Sequence, residues 1–86
     1  MPEISRFLGI VIKMFFDDHN PPHFHVEYGD RNDVIDIRRL SPLAGDLPPR
    51  VMGLVIEWAV LHQQELLDDW KRAQAQEPLR KIDPLE

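Results

Sequence analysis

The fold of this 86-residue chain is decided by a hairpin that begins with the stretch His23-Phe24-His25-Val26-Glu27-Tyr28. Successive side chains of a β-strand point to opposite faces, so the apolar residues at even positions share one face and the polar residues share the other. Residues 34–39 form a second stretch rich in β-branched side chains, and it follows a segment of turn formers. The pattern predicts antiparallel strands over about 23–28 and 34–39.

The register of this hairpin follows from the need to place the apolar side chains of both strands on one face. That requirement sets Val26 opposite Ile35, and His25 then lies opposite Asp36. A slip by one residue would turn polar side chains toward the core. The same register leaves a loop of four residues, 29–32, which is an ordinary hairpin length.

The chain before the hairpin predicts one more strand. Residues 6–16 are β-branched, aromatic or otherwise apolar on nearly every position of an extended segment. We therefore expect this strand to be central in the sheet or to be covered on its second side. Residues 17–22 predict a loop, because Asp17 and Asp18 favour turns and Pro21-Pro22 stops a ladder of hydrogen bonds.

The second half of the chain predicts one long helix over about 47–75. Asp46 is a candidate N-cap of this helix. Pro48 and Pro49 suit its first turn, where a missing N–H group costs little. The first half of the helix is apolar nearly all round, so we expect it to be deeply covered. The tail, 78–86, is too short for an element of its own and is expected to dock as an extended segment. The stripe at helical spacing consists of Val51, Val55, Trp58, His62, Leu66 and Trp70.

These elements predict an α+β fold, an antiparallel three-stranded β-meander with one long helix packed on one face and a short extended tail. The length suits a single domain, 1–86, whose small core would gain from an oligomer or a partner. The chain contains no cysteine, and its N-terminal segment lacks the basic start and apolar run of a signal peptide. We therefore expect a cytoplasmic protein without disulfides or a membrane span.

The charge of the chain argues against one class of function. The formal net charge is −5, with acidic and basic residues spread along the whole chain. Tight non-specific binding of nucleic acid depends on neutralising phosphates, so a nucleic-acid partner is not favoured. Arg31, Arg38 and Arg39 are the candidates for a local basic patch, but solvated charges at a strand edge explain them better.

Three of the four histidines lie within residues 17–25. His23 and His25 share a strand face, and His19 lies across the Pro21-Pro22 turn, from which it is able to fold back. Imidazole nitrogens bind divalent metals, so His19, His23 and His25 are candidate ligands of one metal ion. Their spacing matches no standard zinc signature, and alternating histidines on a strand are more often half-exposed side chains that bond to their neighbours.

The same face of the predicted sheet suggests a metal-free catalytic set. The predicted register places His23 opposite Arg38, and an Asp36 opposite His25 would orient that imidazole. Phosphodiester cleavage needs a histidine acid or base near a cation that stabilises the developing negative charge. The candidate catalytic residues of a ribonuclease-like hydrolase are therefore His23, His25, Asp36 and Arg38. Exposed histidines and arginines on adjacent strands are also common without any such role.

Three stretches of the chain resemble one bacterial family, the domain of unknown function 4160. They are the run from Met1 to Ile10, the run Asp18-His19-Asn20-Pro21-Pro22-His23-Phe24-His25-Val26, and the helical stretch from Leu54 to Trp70. The resemblance covers essentially the whole chain, and its Asp-His-x-Pro-Pro-His-Phe-His run is distinctive. It implies a small bacterial cytoplasmic protein, often encoded beside another small domain in pairs that look like toxin–antitoxin modules.

Two functions from different classes are consistent with these observations. The first is an interaction module, one component of a toxin–antitoxin-like pair or a homo-oligomer, which the small size and the apolar first half of the helix favour. The second is a small His-dependent hydrolase or a metal-binding protein at the histidine cluster. The first is the favoured prediction, and a cofactor, in the form of a divalent metal, is expected only in the second case.

Overall fold

The computed structural model describes residues 3–16 and 18–85, so Asp17 of the predicted loop and Glu86 of the predicted tail lie outside the described residues. The elements are β1 Glu3–Phe7, β2 Ile10–Lys13, β3 His23–Tyr28, β4 Arg31–Asp36, β5 Pro42–Gly45, α1 Pro49–Leu61 and α2 Gln63–Gln74. The strands form one antiparallel sheet in the order β1-β2-β3-β4-β5. The predicted α+β class is confirmed, but the three predicted strands become five and the single helix becomes two.

The predicted first strand is two strands joined by a tight turn at Leu8-Gly9. Phe7 pairs with Ile10, and the two turn residues have positive φ angles of 51° and 79°. A two-residue turn with positive φ at both positions is a type I′ turn, whose twist matches that of a hairpin. The continuous apolar composition of residues 6–16 hid this reversal, because Leu8 gives no turn signal.

The strand β3 has the predicted bounds and faces, but its register with β4 differs from the prediction by two residues. Phe24, instead of Val26, lies opposite Ile35. A shift of two residues preserves the face of every side chain, so all three of these residues remain in the core. The cause is the loop, which has two residues, Gly29 and Asp30, with a φ of 61° at the glycine, as a type II′ turn requires.

The strand β4 begins and ends earlier than the predicted third strand. It ends at Asp36, and residues 37–39 form a turn instead of extending the strand. The side chain of Asp36 is the reason, because its Oδ1 accepts the backbone N–H groups of Arg38 and Arg39, both at 2.8 Å. This turn returns the chain as β5, an exposed edge strand that the composition did not reveal.

The predicted long helix is broken at His62, which ends α1 and precedes α2. Its φ of −123° and ψ of 23° lie outside helical geometry. The next residue, Gln63, donates from Nε2 to the carbonyls of Ile37 and Arg38 at 2.8 and 3.1 Å. A contact with the turn after β4 therefore accompanies the break.

The helix α1 also begins later than predicted, and Asp46 is not its N-cap. Pro48 holds the cap position, with Pro49 as the first helical residue. The backbone N–H of Asp46 instead donates to the carbonyl of Asn32 and continues the pairing of β5 with β4. Within the described chain, neither helix has the length and apolar character that a membrane crossing requires.

Trp58 of α1 is the centre of the core between the sheet and the helices. Its ring is fully buried, and its centroid lies 5.6 Å from that of Phe7 and 5.9 Å from that of Phe24. The indole Nε1 donates to the carbonyl of Asp83 at 2.8 Å, so the tail closes the same core. Ile82 is buried and bonds through its N–H to β1, which confirms that the tail docks as an extended segment.

Leu8 provides a test of the turn between β1 and β2. The Leu8 side chain is 67% exposed. The backbone of Leu8 has a left-handed conformation, which is less unfavourable for Asn than for Leu or Ala. We expect Leu8→Asn to raise the free energy of unfolding by about 0.5–1 kcal/mol in urea titrations. Leu8→Ala is the control, since it removes the exposed leucine without relieving the backbone. An equal gain in both variants would contradict the backbone explanation.

Candidate functional site

Two histidines and one aspartate converge where the loop before β3 meets the strand. His23 and His25 share a face of β3, and their ring centroids lie 5.2 Å apart. The loop folds back so that Asp18 Oδ2 lies 2.9 Å from His23 Nε2 and 3.2 Å from His25 Nε2. One potential ligand atom from each side chain lies within 4.8 Å of the others. These three residues are called the Asp–His–His cluster below.

A proton on His23 can be assigned from the second contact of its ring. Nδ1 lies 2.6 Å from the backbone carbonyl of Pro21, and because a carbonyl only accepts, Nδ1 carries a proton. In a neutral ring Nε2 then presents a lone pair, and this lone pair faces the carboxylate of Asp18. Two acceptors 2.9 Å apart repel each other unless a proton or a metal ion lies between them. The cluster therefore requires a doubly protonated His23 or a bound cation.

Asp18 makes two hydrogen bonds besides its contacts with the histidine rings. Its Oδ1 accepts the N–H of His19 at 2.9 Å, and its carbonyl accepts Nε2 of Gln74, on α2, at 2.9 Å. Burial raises the pKa of Asp18, but hydrogen bonds from His25, from the His19 backbone and from His23 outweigh burial and leave the pKa below its ordinary value. The carboxylate is therefore charged at neutral pH, as a metal ligand must be.

The two histidines of the cluster differ in exposure. His23 is only 4% exposed and packs against Trp70 of α2, with ring centroids 5.1 Å apart. For His23 this corrects the expectation of a half-exposed side chain, because Trp70 of α2 covers its ring at the start of β3. His25 is half-buried, and Phe15 meets its ring edge-on with centroids 4.6 Å apart. The cluster is closed at His23 and open at His25.

His19 lies at the rim of the cluster. Its side chain is 89% exposed, and its Nδ1 lies 3.2 Å from Asp18 Oδ1. Its ring centroid is 5.7 Å from that of His23. Of the predicted ligands His19, His23 and His25, the structure brings the last two together and adds Asp18 as the third close donor. Metal binding by any of them stays a prediction.

Asp36 and Arg38 occupy other positions than the predicted register gave them. Asp36 lies opposite His23, while the neighbour of His25 on β4 is Val34. The carboxylate of Asp36 is bonded to the backbone of the turn after β4. Arg38 lies in that turn with an exposed side chain, and the hydrogen bonds it makes to described residues come from its backbone. A catalytic role for this set stays a prediction with less structural support.

Asp18 and Gln74 are the site residues that sequence reasoning missed. Asp18 was interpreted as a turn former, although a carboxylate five residues before a strand histidine can return to it across a sharp proline corner. That corner contains a cis peptide bond between Asn20 and Pro21. Gln74 gave no signal, because its partner lies 56 residues away along the chain.

Comparison with known families adds an assignment to this geometry. Residues 9–71 match the family described as Domain of unknown function (DUF4160). The chain belongs to this family. The matched range includes the whole Asp–His–His cluster and confirms the resemblance seen in the sequence. Searches of curated proteins and of solved structures gave no match. Family membership therefore brings no activity with it, and the proposal of a function depends on the site.

The bond between Gln74 and the Asp18 carbonyl can be tested with a matched pair of variants. We expect Gln74→Ala to lower the free energy of unfolding in urea by about 0.5–1.5 kcal/mol, the net value of one hydrogen bond. Gln64→Ala is the control, because Gln64 lies on the same helix and its side chain donates to Asp68, one turn away on that helix. Its expected change is within about 0.5 kcal/mol. Equal losses of stability in the two variants would show that the hydrogen bond from Gln74 to the Asp18 carbonyl contributes nothing to the free energy of unfolding.

Proposed function

We propose that the chain binds a divalent first-row transition metal through Asp18 Oδ2, His23 Nε2 and His25 Nε2. One observation carries the proposal. Nδ1 of His23 donates to the Pro21 carbonyl, so Nε2 is the ring nitrogen that faces the carboxylate of Asp18, 2.9 Å away. Metal-binding histidines are held in this way, with the second ring nitrogen donating to a carbonyl or carboxylate. A metal ion bound by Nε2 and Oδ2 would take the place of the proton that otherwise has to lie between these two atoms.

The distances within the cluster suit ligands of one ion. Nitrogen and oxygen ligands bind zinc at about 2.0–2.2 Å, so neighbouring ligand atoms lie about 3 Å apart. The separations from Asp18 Oδ2 to Nε2 of His23 and of His25 are 2.9 and 3.2 Å. One potential ligand atom from each of the three residues lies within 4.8 Å of the others, so the side chains would close around an ion by moving together.

The donor set and its exposure favour hydrolysis as the reaction. Two imidazoles and one carboxylate suit Zn²⁺ or Fe²⁺, and three protein ligands leave a coordination position open. His25 is 29% exposed, whereas Trp70 closes the side of His23, so a substrate would approach from the side of His25. A water molecule held by zinc at an open position becomes a nucleophile at neutral pH.

A metal-free acid–base site is the alternative for the same cluster. A doubly protonated His23, paired with Asp18, would satisfy both contacts of its ring, and His25 would act as the acid or base. The ribonuclease-like set that includes Arg38 has less support, because Asp36 is bonded to the turn that contains Arg38.

The metal proposal is tested by titrating tag-free, chelator-treated protein with Zn²⁺ in a calorimeter and with Co²⁺ by visible absorption. We expect one ion per chain. Asp18→Asn and His25→Gln each remove a ligand and should weaken binding by at least about a hundredfold, since loss of an outer partner alone weakens it by about 10–100-fold. His62→Gln is the matched control, because His62 bonds to Glu65 and is not part of the cluster.

Two results would count against the metal proposal. Equal binding by the parent protein, Asp18→Asn and His25→Gln would place the ion elsewhere. A folded parent protein that binds neither Zn²⁺ nor Co²⁺ would leave the metal-free acid–base site as the surviving candidate.

A second proposal is that the chain is an interaction module, one component of a toxin–antitoxin-like pair or a homo-oligomer. The observation that favours it is the last turn of α1, where Val60 and Leu61 are 58% and 67% exposed. Contiguous exposed apolar surface is typical of contact regions. The family resemblance supports a small partner protein encoded nearby in a bacterial cytoplasm.

Sedimentation equilibrium of the pure protein tests self-association through this surface. We expect a dimer or larger species whose dissociation constant rises by about tenfold or more in Leu61→Glu, because a charge replaces an apolar contact. Leu43→Glu is the matched control, since Leu43 is an exposed leucine on β5. A monomer at every concentration would exclude the homo-oligomer and restrict the proposal to a different partner chain.

A further inference from the structure

A cavity of about 300 Å³ lies between α2 and the tail. Its walls combine acidic side chains from α2 with basic side chains from both segments. The charged residues that line it are Glu65, Asp68, Asp69, Arg72, Arg80 and Lys81. None of them belongs to the Asp–His–His cluster, so whatever the cavity binds is independent of the proposed metal site.

Asp69, in the wall of this cavity, has an unsatisfied oxygen. The residue is fully buried, and its Oδ1 accepts Nη1 of Arg72 at 2.9 Å and the backbone N–H of Arg80 at 3.0 Å. Its Oδ2 is buried and has no hydrogen-bond partner among the described residues. A buried carboxylate oxygen without a donor is unfavourable and uncommon, so a donor is expected at this oxygen, and Asp69 lines the cavity.

Arg72 is the movable part of the wall beside this oxygen. Its side chain is 25% exposed, whereas that of Asp69 is 1% exposed. The guanidinium holds Oδ1 and lines the cavity, and Oδ2 is buried, so a ligand reaches Oδ2 only if side chains of the wall move aside.

The tail offers cations to the same cavity. The guanidinium of Arg80 makes no hydrogen bond to a described residue, and Nζ of Lys81 bonds to the carbonyl of Glu3 at 2.7 Å. An anionic group in the cavity would form charge-assisted bonds with these side chains. The wall formed by α2 therefore contains a hydrogen-bond acceptor without a donor among the described residues, Asp69 Oδ2. The wall formed by the tail contains donors without an acidic partner in the described part of the chain, the side chains of Arg80 and Lys81.

We propose that this cavity binds a small molecule with both charges, a free α-amino acid, whose ammonium group donates to Asp69 Oδ2 and whose carboxylate is bound by Arg80. A ligand with only an ammonium group would face the cations of the wall, and a ligand with only a carboxylate would face the acids. A ligand that carries both charges matches both sets, and the volume of about 300 Å³ is sufficient for a single amino acid.

Nuclear magnetic resonance of the nitrogen-15-labelled protein tests this proposal with alanine and its two halves, ethylamine and propionate. Alanine should produce saturable shifts at the amides of Asp69, Arg72 and Arg80. Ethylamine and propionate should each bind at least about tenfold more weakly, because each lacks one charge-assisted bond. Ethylamine or propionate binding as tightly as alanine would overturn the proposal, as would shifts that do not saturate.

Variants separate binding from folding in the same experiment. Arg80→Gln keeps the backbone N–H group that donates to Asp69 Oδ1. This variant should bind alanine about tenfold more weakly than the parent protein. Lys71→Gln is the control, since Lys71 is exposed on the same helix and does not line the cavity, and it should bind alanine as the parent does. Unchanged binding by Arg80→Gln would overturn the assignment of the carboxylate. Zinc binding, measured in parallel, should be the same in both variants.

Discussion

The hydrogen bond from His23 Nδ1 to the carbonyl of Pro21 is the interaction on which the rest of the site depends. At 2.6 Å it fixes the imidazole against the proline corner at the first residue of β3. With Nδ1 engaged, Nε2 has one direction left, and that direction leads to Asp18. His25, two residues along the same strand, reaches the same carboxylate oxygen. One bond to a backbone carbonyl thus decides where three potential ligands meet.

The remainder of the fold supports this corner from two sides. The backbone after β4 donates to the carbonyl of Pro22 at 2.9 Å and joins the corner to the sheet. On the other side, Gln74 holds the loop and Trp70 covers the ring of His23. Both contacts come from α2, which begins directly after the break at His62. The site therefore depends on the packing of α2 against the loop and the first residue of β3.

The sequence predicts what depends on local alternation and misses what depends on contacts between distant residues. The core face of β3 was predictable, since Phe24 and Val26 are two positions apart on one strand. Its register was not, because a shift of two residues preserves every face and only the turn at Gly29 decides between the alternatives. The role of Asp18 and the break at His62 were not predictable either. The break accompanies a bond to a turn 26 residues away, for which local spacing carries no signal. Asp18 lies only five residues from His23, but the contact depends on the shape of the proline corner, which spacing does not give.

Imidazole nitrogen-15 resonances of His23 test the central claim most directly, because they report which ring nitrogen carries a proton. The structure predicts a proton on Nδ1 both in the metal-free and in the metal-bound protein. Without metal, Nε2 should carry a second proton shared with Asp18, and addition of Zn²⁺ should replace that proton with a metal bond while Nδ1 stays protonated. A neutral ring with its only proton on Nε2 would contradict the account, because Nδ1 could then not donate to the Pro21 carbonyl.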